Sequence, residues 1–144
     1  MGYTIKIGKI EKEFLDDFQE IHLSVVLEND KNAPAFGEAT DHENQRWPSY
    51  IAWGESVKAF NIYDLFFNKK TGLMRTHPGV YKFDKTHVDI IENEYNIFKK
   101  KNPKIIAKFG EDNELGAYMA RIEWLLYWMK KSIDCNEASF IENS

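Results

Sequence analysis

Residues 112–133 read DNELGAYMARIEWLLYWMKKSI, and this stretch decides the fold class. Leu115, Tyr118, Met119, Ile122, Leu126, Met129 and Ile133 recur at the spacing that lines one face of an α-helix. Asp112 or Asn113 supplies an N-cap, so a long helix is expected from about Glu114 to Ile133. Trp124 and Trp128 lie beside this stripe one turn apart, and Leu125 widens it. A face that broad belongs either to a central core helix or to a helix that also meets a partner.

Upstream, residues 84–101 read DKTHVDIIENEYNIFKKK and predict a second long helix. Asp84 is the cap, and Val88, Ile91, Tyr95 and Phe98 form the inward stripe. Lys99, Lys100 and Lys101 suit the partial negative charge at a helix C-terminus, and Asn102-Pro103 ends the run. His87, in the first turn, reads as a capping or surface residue. Ile105 to Phe109 is a candidate short strand.

Towards the N-terminus the pattern shifts. Leu73 to Phe83 reads as extended chain broken at Pro78-Gly79, and Asn68 to Gly72 reads as a turn. Ile62 to Phe67 is a short strand or one further helical turn. Ser49 caps a shorter helix reaching about Asn61, with Ile51, Val57 and Phe60 turned inward. Ala33 to Pro48 is a long connection. Glu20 to Leu27 reads as strand and Glu11 to Gln19 as helix or loop. Tyr3, Ile5 and Ile7 alternate with Thr4, Lys6 and Gly8, as a strand with one face on the core would. The chain from Asn136 onward is expected to fray. These elements predict one α+β domain over residues 1–144, with a short, mainly antiparallel sheet packed against two long C-terminal helices and one or two shorter ones.

Composition supports a packed core, since 43% of the 144 residues are hydrophobic and 15% aromatic. The net charge of -4 opposes broad attraction to nucleic acid. Lysines do surround aromatics at Lys69-Lys70, Lys82 and Lys85, but no phosphate loop or zinc knuckle accompanies them. Cys135 is the single cysteine, so no intrachain disulfide forms, and a reducing cytoplasm is the expected location. The opening MGYTIKIGKIEKEF lacks an apolar core of the secretory type, and no apolar run reaches membrane-spanning length.

Two kinds of site compete within Asp41 to Tyr81. Arg75-Thr76-His77-Pro78-Gly79 combines a guanidinium able to grip phosphate or carboxylate with an imidazole able to move a proton. Joined by His42 and Asp41, Arg75 and His77 would make the catalytic set of a small hydrolase or phosphate-ligand enzyme. No HExxH and no paired cysteines occur, so neither a metal nor another cofactor is expected. The other signal is aromatic: Trp47, Tyr50 and Trp53 form one set, and Trp124 with Trp128 anchors a second. Trp and Tyr dominate interface hot spots. The leading expectation is therefore a small regulatory protein that binds a protein partner or itself, with the enzyme as alternative.

Overall fold

The computed structural model describes residues 1–15, 21–34, 38, 42–110 and 112–144. The fold is α+β, with an antiparallel sheet packed against helices. Among the described residues ten elements follow in chain order: β1 (Ile5–Gly8), β2 (Ile10–Leu15), β3 (Ile21–Val25), β4 (Gln45–Arg46), α1 (Tyr50–Ala59), α2 (Tyr63–Phe67), β5 (Gly79–Phe83), α3 (Lys85–Lys101), α4 (Glu114–Cys135) and β6 (Ser139–Asn143).

The main sheet has the order β4-β1-β6-β5, and every pairing in it is antiparallel. Its two central strands are thus the first and the last of the chain. The expected frayed tail is the correction that matters most. Ser139, Ile141 and Asn143 point inward and are buried, so the tail is a central strand paired to β1 on one side and β5 on the other. Each pairing satisfies backbone groups that a frayed end would leave to water.

The long helices match expectation closely. Asp84 caps α3 by accepting from the Thr86 amide, while the His87 ring accepts from the Asp84 amide and closes a capping box. Val88, Ile91 and Tyr95 are buried along its stripe. Asn113 caps α4 through the Gly116 amide. Asn113 also donates to the carbonyls of Ile106 and Lys108, at 3.1 and 3.0 Å. Those carbonyls are therefore spent on the helix start, and Ile105 to Phe109 forms no strand. Helix α4 packs on α1, α3 and β1. Its buried residues, among them Met119, Ile122, Trp124, Leu125, Trp128 and Met129, occupy more than one face, as befits a central core helix.

The N-terminal half needs more correction. Ser49 caps α1 as expected, accepting from the Ala52 amide at 3.1 Å. Val57 and Phe60 are buried, but Ile51 is 78% exposed. In the segment Glu11 to Gln19, expected to be helix or loop, residues 11–15 belong to the strand β2, because β3 supplies an antiparallel partner for it; the remainder of that segment, residues 16–19, lies outside the described residues. The stretch from Leu73 is not extended until Gly79. The Leu73 and Met74 amides bond back to the carbonyls of Leu65 and Phe66, at 3.1 and 2.7 Å, and the chain turns before β5 begins.

Side chains stitch these layers together. Asn44, fully buried, donates to Ile7 and Val26 carbonyls at 2.7 and 2.9 Å and accepts from the Glu28 amide at 2.7 Å. The Glu142 carboxylate accepts from the Val25 amide at 2.7 Å and joins the β2–β3 hairpin to β6. Asp30 accepts from the Tyr127 hydroxyl and, at 2.6 Å, from the Lys131 ammonium, fixing its segment to α4. Hydrogen bonds from Lys131 and Tyr127 hold the Asp30 carboxyl well below the usual range, and burial together with that same bond pushes Tyr127 up to about 12. Among the described residues no helix is long and apolar enough to cross a membrane.

Candidate functional site

The inward alternation of β6 ends on Asn143, which is 1% exposed. Its amide nitrogen donates to the Thr76 carbonyl at 3.0 Å, which sets the orientation of the amide. The other end, Oδ1, then faces Nδ1 of His77 at 2.6 Å. A carbonyl oxygen only accepts, so the proton sits on Nδ1 and a neutral His77 ring presents its Nε2 lone pair. The Tyr50 hydroxyl meets Nε2 at 3.1 Å. A phenol, an imidazole and a buried amide therefore stand in one line, drawn from the start of α1, the turn before β5 and the end of β6.

Backbone close approaches hold the three in place. The Tyr3 amide bonds the Pro48 carbonyl at 2.9 Å, and Gly2 bridges to Ser49. A Cβ on Gly2 would stand 2.2 Å from the Pro48 oxygen, so only glycine fits there. This brings the Tyr3 ring edge-on to both Tyr50 and His77, with centroids 4.8 and 5.0 Å away. Burial, and then the neighbouring Tyr50 and Tyr63, push the Tyr3 hydroxyl up from its ordinary value. Arg75 is exposed, with its guanidinium 3.8 Å from the Tyr81 ring centre and one nitrogen donating to the Gly72 carbonyl at 3.1 Å. The Thr76 hydroxyl hydrogen-bonds the Tyr81 hydroxyl, completing the turn. Next to Tyr3 an open groove of about 340 Å³ is lined by residues 1–4 and 47–49.

The sequence candidates divide on this map. His77 and Arg75 belong to one turn, and Tyr50 approaches it from the start of α1, while Trp47 lines the groove beside Tyr3. His42 does not join them. Its Nδ1 lies 2.7 Å from the Ala33 carbonyl, and it shares no hydrogen-bond partner with His77. Asp41 lies outside the described residues. Among those described, no three His, Cys, Asp or Glu side chains gather where one metal ion would be held.

The aromatic anchors also part company. Trp53, Trp124 and Trp128 are at most 2% exposed and belong to the core, so in this structure they offer no area to a partner. Trp47 is 47% and Tyr50 39% exposed, and both are surface residues. Asn143 was missed, because a lone Asn near a chain end carries no signal until its strand is placed. A partial signal existed in the period-two alternation of Ser139, Ile141 and Asn143.

Chemically, the arrangement supplies a proton acceptor of fixed tautomer, a hydroxyl able to donate to it and a cation close by. It also supplies a run of aromatic rings in mutual contact. The chain matches no family model, no curated protein and no solved structure.

Proposed function

We propose that this is a small cytoplasmic interaction protein that docks a protein partner on the face formed by Trp47, Tyr50 and Tyr63. The observation that carries the reading is the continuity of exposed aromatic surface there. Tyr3 links Tyr50 to Phe67, and Phe67 packs on Tyr63, with ring centroids 4.8, 6.3 and 4.9 Å apart along the chain of contacts. Trp47 shares the groove beside Tyr3. Tyr63 is 44% exposed, and Ile51, next to Tyr50 in sequence, also projects outward. Rigid Trp and Tyr rings bury large area at low entropic cost, which is why they anchor interfaces. The Lys58 ammonium lies 5.2 Å from the Tyr63 ring, and Arg75 is in the same turn as His77, which Tyr50 contacts. A partner with carboxylates around an apolar centre complements this surface.

A photo-crosslinking residue placed at 47 or 63 tests the reading in cells, with position 97 on α3 as an equally exposed control. The expected result is one discrete adduct from 47 and 63, absent from 97 and weakened by Tyr50→Ala. Adducts of the same pattern from all three positions would sink it, as would an adduct consisting only of a second copy of this chain for the hetero-partner form.

One observation favours a second reading, the small hydrolase or phosphate-ligand enzyme. The Tyr50–His77–Asn143 line has the form of a hydroxyl oriented toward a base whose far nitrogen is anchored. An aryl sulfonyl fluoride tests it. Under this reading Tyr50 reacts faster than Tyr63, and His77→Ala removes the difference while the fold persists by circular dichroism. Equal reactivity of the two tyrosines would remove the enzyme reading.

A further inference from the structure

Inside the protein, two guanidinium groups are buried side by side. Arg46, on the edge strand β4, is 0% exposed, and Arg121, on α4, is 7% exposed. The Arg46 group lies 5.2 Å from the Trp124 ring centre and 5.6 Å from that of Phe109, and the Arg121 group lies 5.0 Å from Phe109. Among the described residues one carboxylate, Glu38, answers both cations. Glu38 accepts from Arg121 through both oxygens, Oε1 from Nε at 2.6 Å and Oε2 from Nη2 at 3.2 Å. The remaining Arg121 nitrogen, Nη1, donates to the fully buried Ser56 hydroxyl at 3.2 Å.

Arg46 is served far less well. Its Nη1 stands 3.7 Å from Glu38 Oε1, within ion-pair range and beyond a hydrogen bond. Among the described residues none of its three guanidinium nitrogens has a hydrogen-bond partner. Burial of donors in this state is costly, and a buried charge without partners more so. Desolvation lowers the Arg46 pKa to about 10, with Glu38 opposing the shift and Arg121 adding to it.

The shortfall is one of oxygen count. A carboxylate has two oxygens, and Arg121 engages both. A group with three terminal oxygens could keep the two-point grip of Arg121 and still give one oxygen to Arg46. Among the described residues the charge balance agrees, since two cations face the one Glu38 carboxylate and a phosphoryl dianion would neutralise both. We propose that Arg46 and Arg121 form a binding site for a phosphoryl group, held in this structure by the chain's own Glu38 carboxylate as a two-oxygen substitute. The site shares no residue with the aromatic face and does not rest on that reading. Sequence reading passed over both residues. Arg121 shares a helix face with Ala117, Trp124 and Leu125, and an arginine there is the available signal of a buried cation.

The test is chemical rescue. Glu38→Ala is melted in sodium phosphate, sodium acetate and sodium chloride at matched ionic strength, followed by circular dichroism and by tryptophan emission. Phosphate is expected to raise the melting temperature saturably, at a concentration roughly tenfold below acetate, the factor that one more charge-assisted hydrogen bond implies. Chloride should act only as ionic strength. Adding Arg46→Met to Glu38→Ala should erase the advantage of phosphate over acetate while leaving acetate rescue in place. The wild-type protein should show the same phosphate effect at higher concentration, because Glu38 competes. Acetate equal to phosphate, a response that follows ionic strength alone, or a wild type indifferent to phosphate overturns the proposal. If Glu38→Ala fails to fold, Glu38→Gln is refolded in the three salts; recovery selective for phosphate supports the site, and equal or no recovery overturns it.

Discussion

The Asn143 side chain accepts a hydrogen bond from His77 at 2.6 Å across 66 positions of sequence, joining the last strand to the turn that precedes β5. The same amide donates to Thr76, so it cannot rotate without losing both contacts. Asn143→Ala should therefore release the tautomer of His77 and loosen the turn, at a cost of about 1 kcal/mol for each hydrogen bond lost. Nitrogen NMR of the imidazole checks it. The wild-type ring is expected to carry its proton on Nδ1, and the variant to show a mixture. An unchanged tautomer would mean that the amide does not position the ring.

Because β6 lies between β1 and β5, removing residues 137–144 should abolish cooperative folding rather than trim a loose end. Both neighbours would lose a ladder partner, and Ile141, which is fully buried, would leave the core. Thermal melting by circular dichroism is the check. A truncated chain that melts within a few degrees of the intact one contradicts this placement.

The four tryptophans should respond very unequally to truncation. Trp53→Ala or Trp124→Ala empties a site that is 0% exposed and should cost about 3–5 kcal/mol. Trp47→Ala removes a side chain that is 47% exposed and should cost no more than about 0.5–1 kcal/mol. Urea denaturation of the variants, compared at constant slope, decides it. Equal losses would contradict the division between core and surface.

Asp30 provides a pH prediction. Lys131 and Tyr127 hold its carboxyl below the usual value, so the folded state binds the proton less readily than the unfolded chain. Its contribution is fully present above the unfolded value of about 3.9 and is lost as pH falls towards the depressed folded value. The melting-temperature gap between wild type and Asp30→Asn should thus be constant near neutrality and narrow below about pH 4. A gap that stays the same down to pH 2.5 would show that the carboxylate is not ionised by these partners.

Local chemistry determined much of this protein on its own. The cap at Asp84, the stripe Val88-Ile91-Tyr95 and the lysines that close α3 lie within five turns of one another, and a helix makes its hydrogen bonds within that distance. Ser49 and Asn113 were legible for the same reason. Strands were harder, because the partner that makes a strand is remote. SFIEN at residues 139–143 is short and half polar, and only β1 and β5 on its two sides make it the centre of a sheet. Burial was likewise undecided by residue type: Trp47 and Trp53 differ in exposure because one precedes α1 and the other faces the core from within it. The sites depended most on the fold. Arg75 and His77 could be picked out as candidates from their side-chain types, but the groups that orient His77 come from α1 and β6, and the Arg46–Arg121 pair from β4 and α4. Side chains that far apart in sequence acquire a common chemistry only when packing excludes water from between them and leaves their polar atoms to one another.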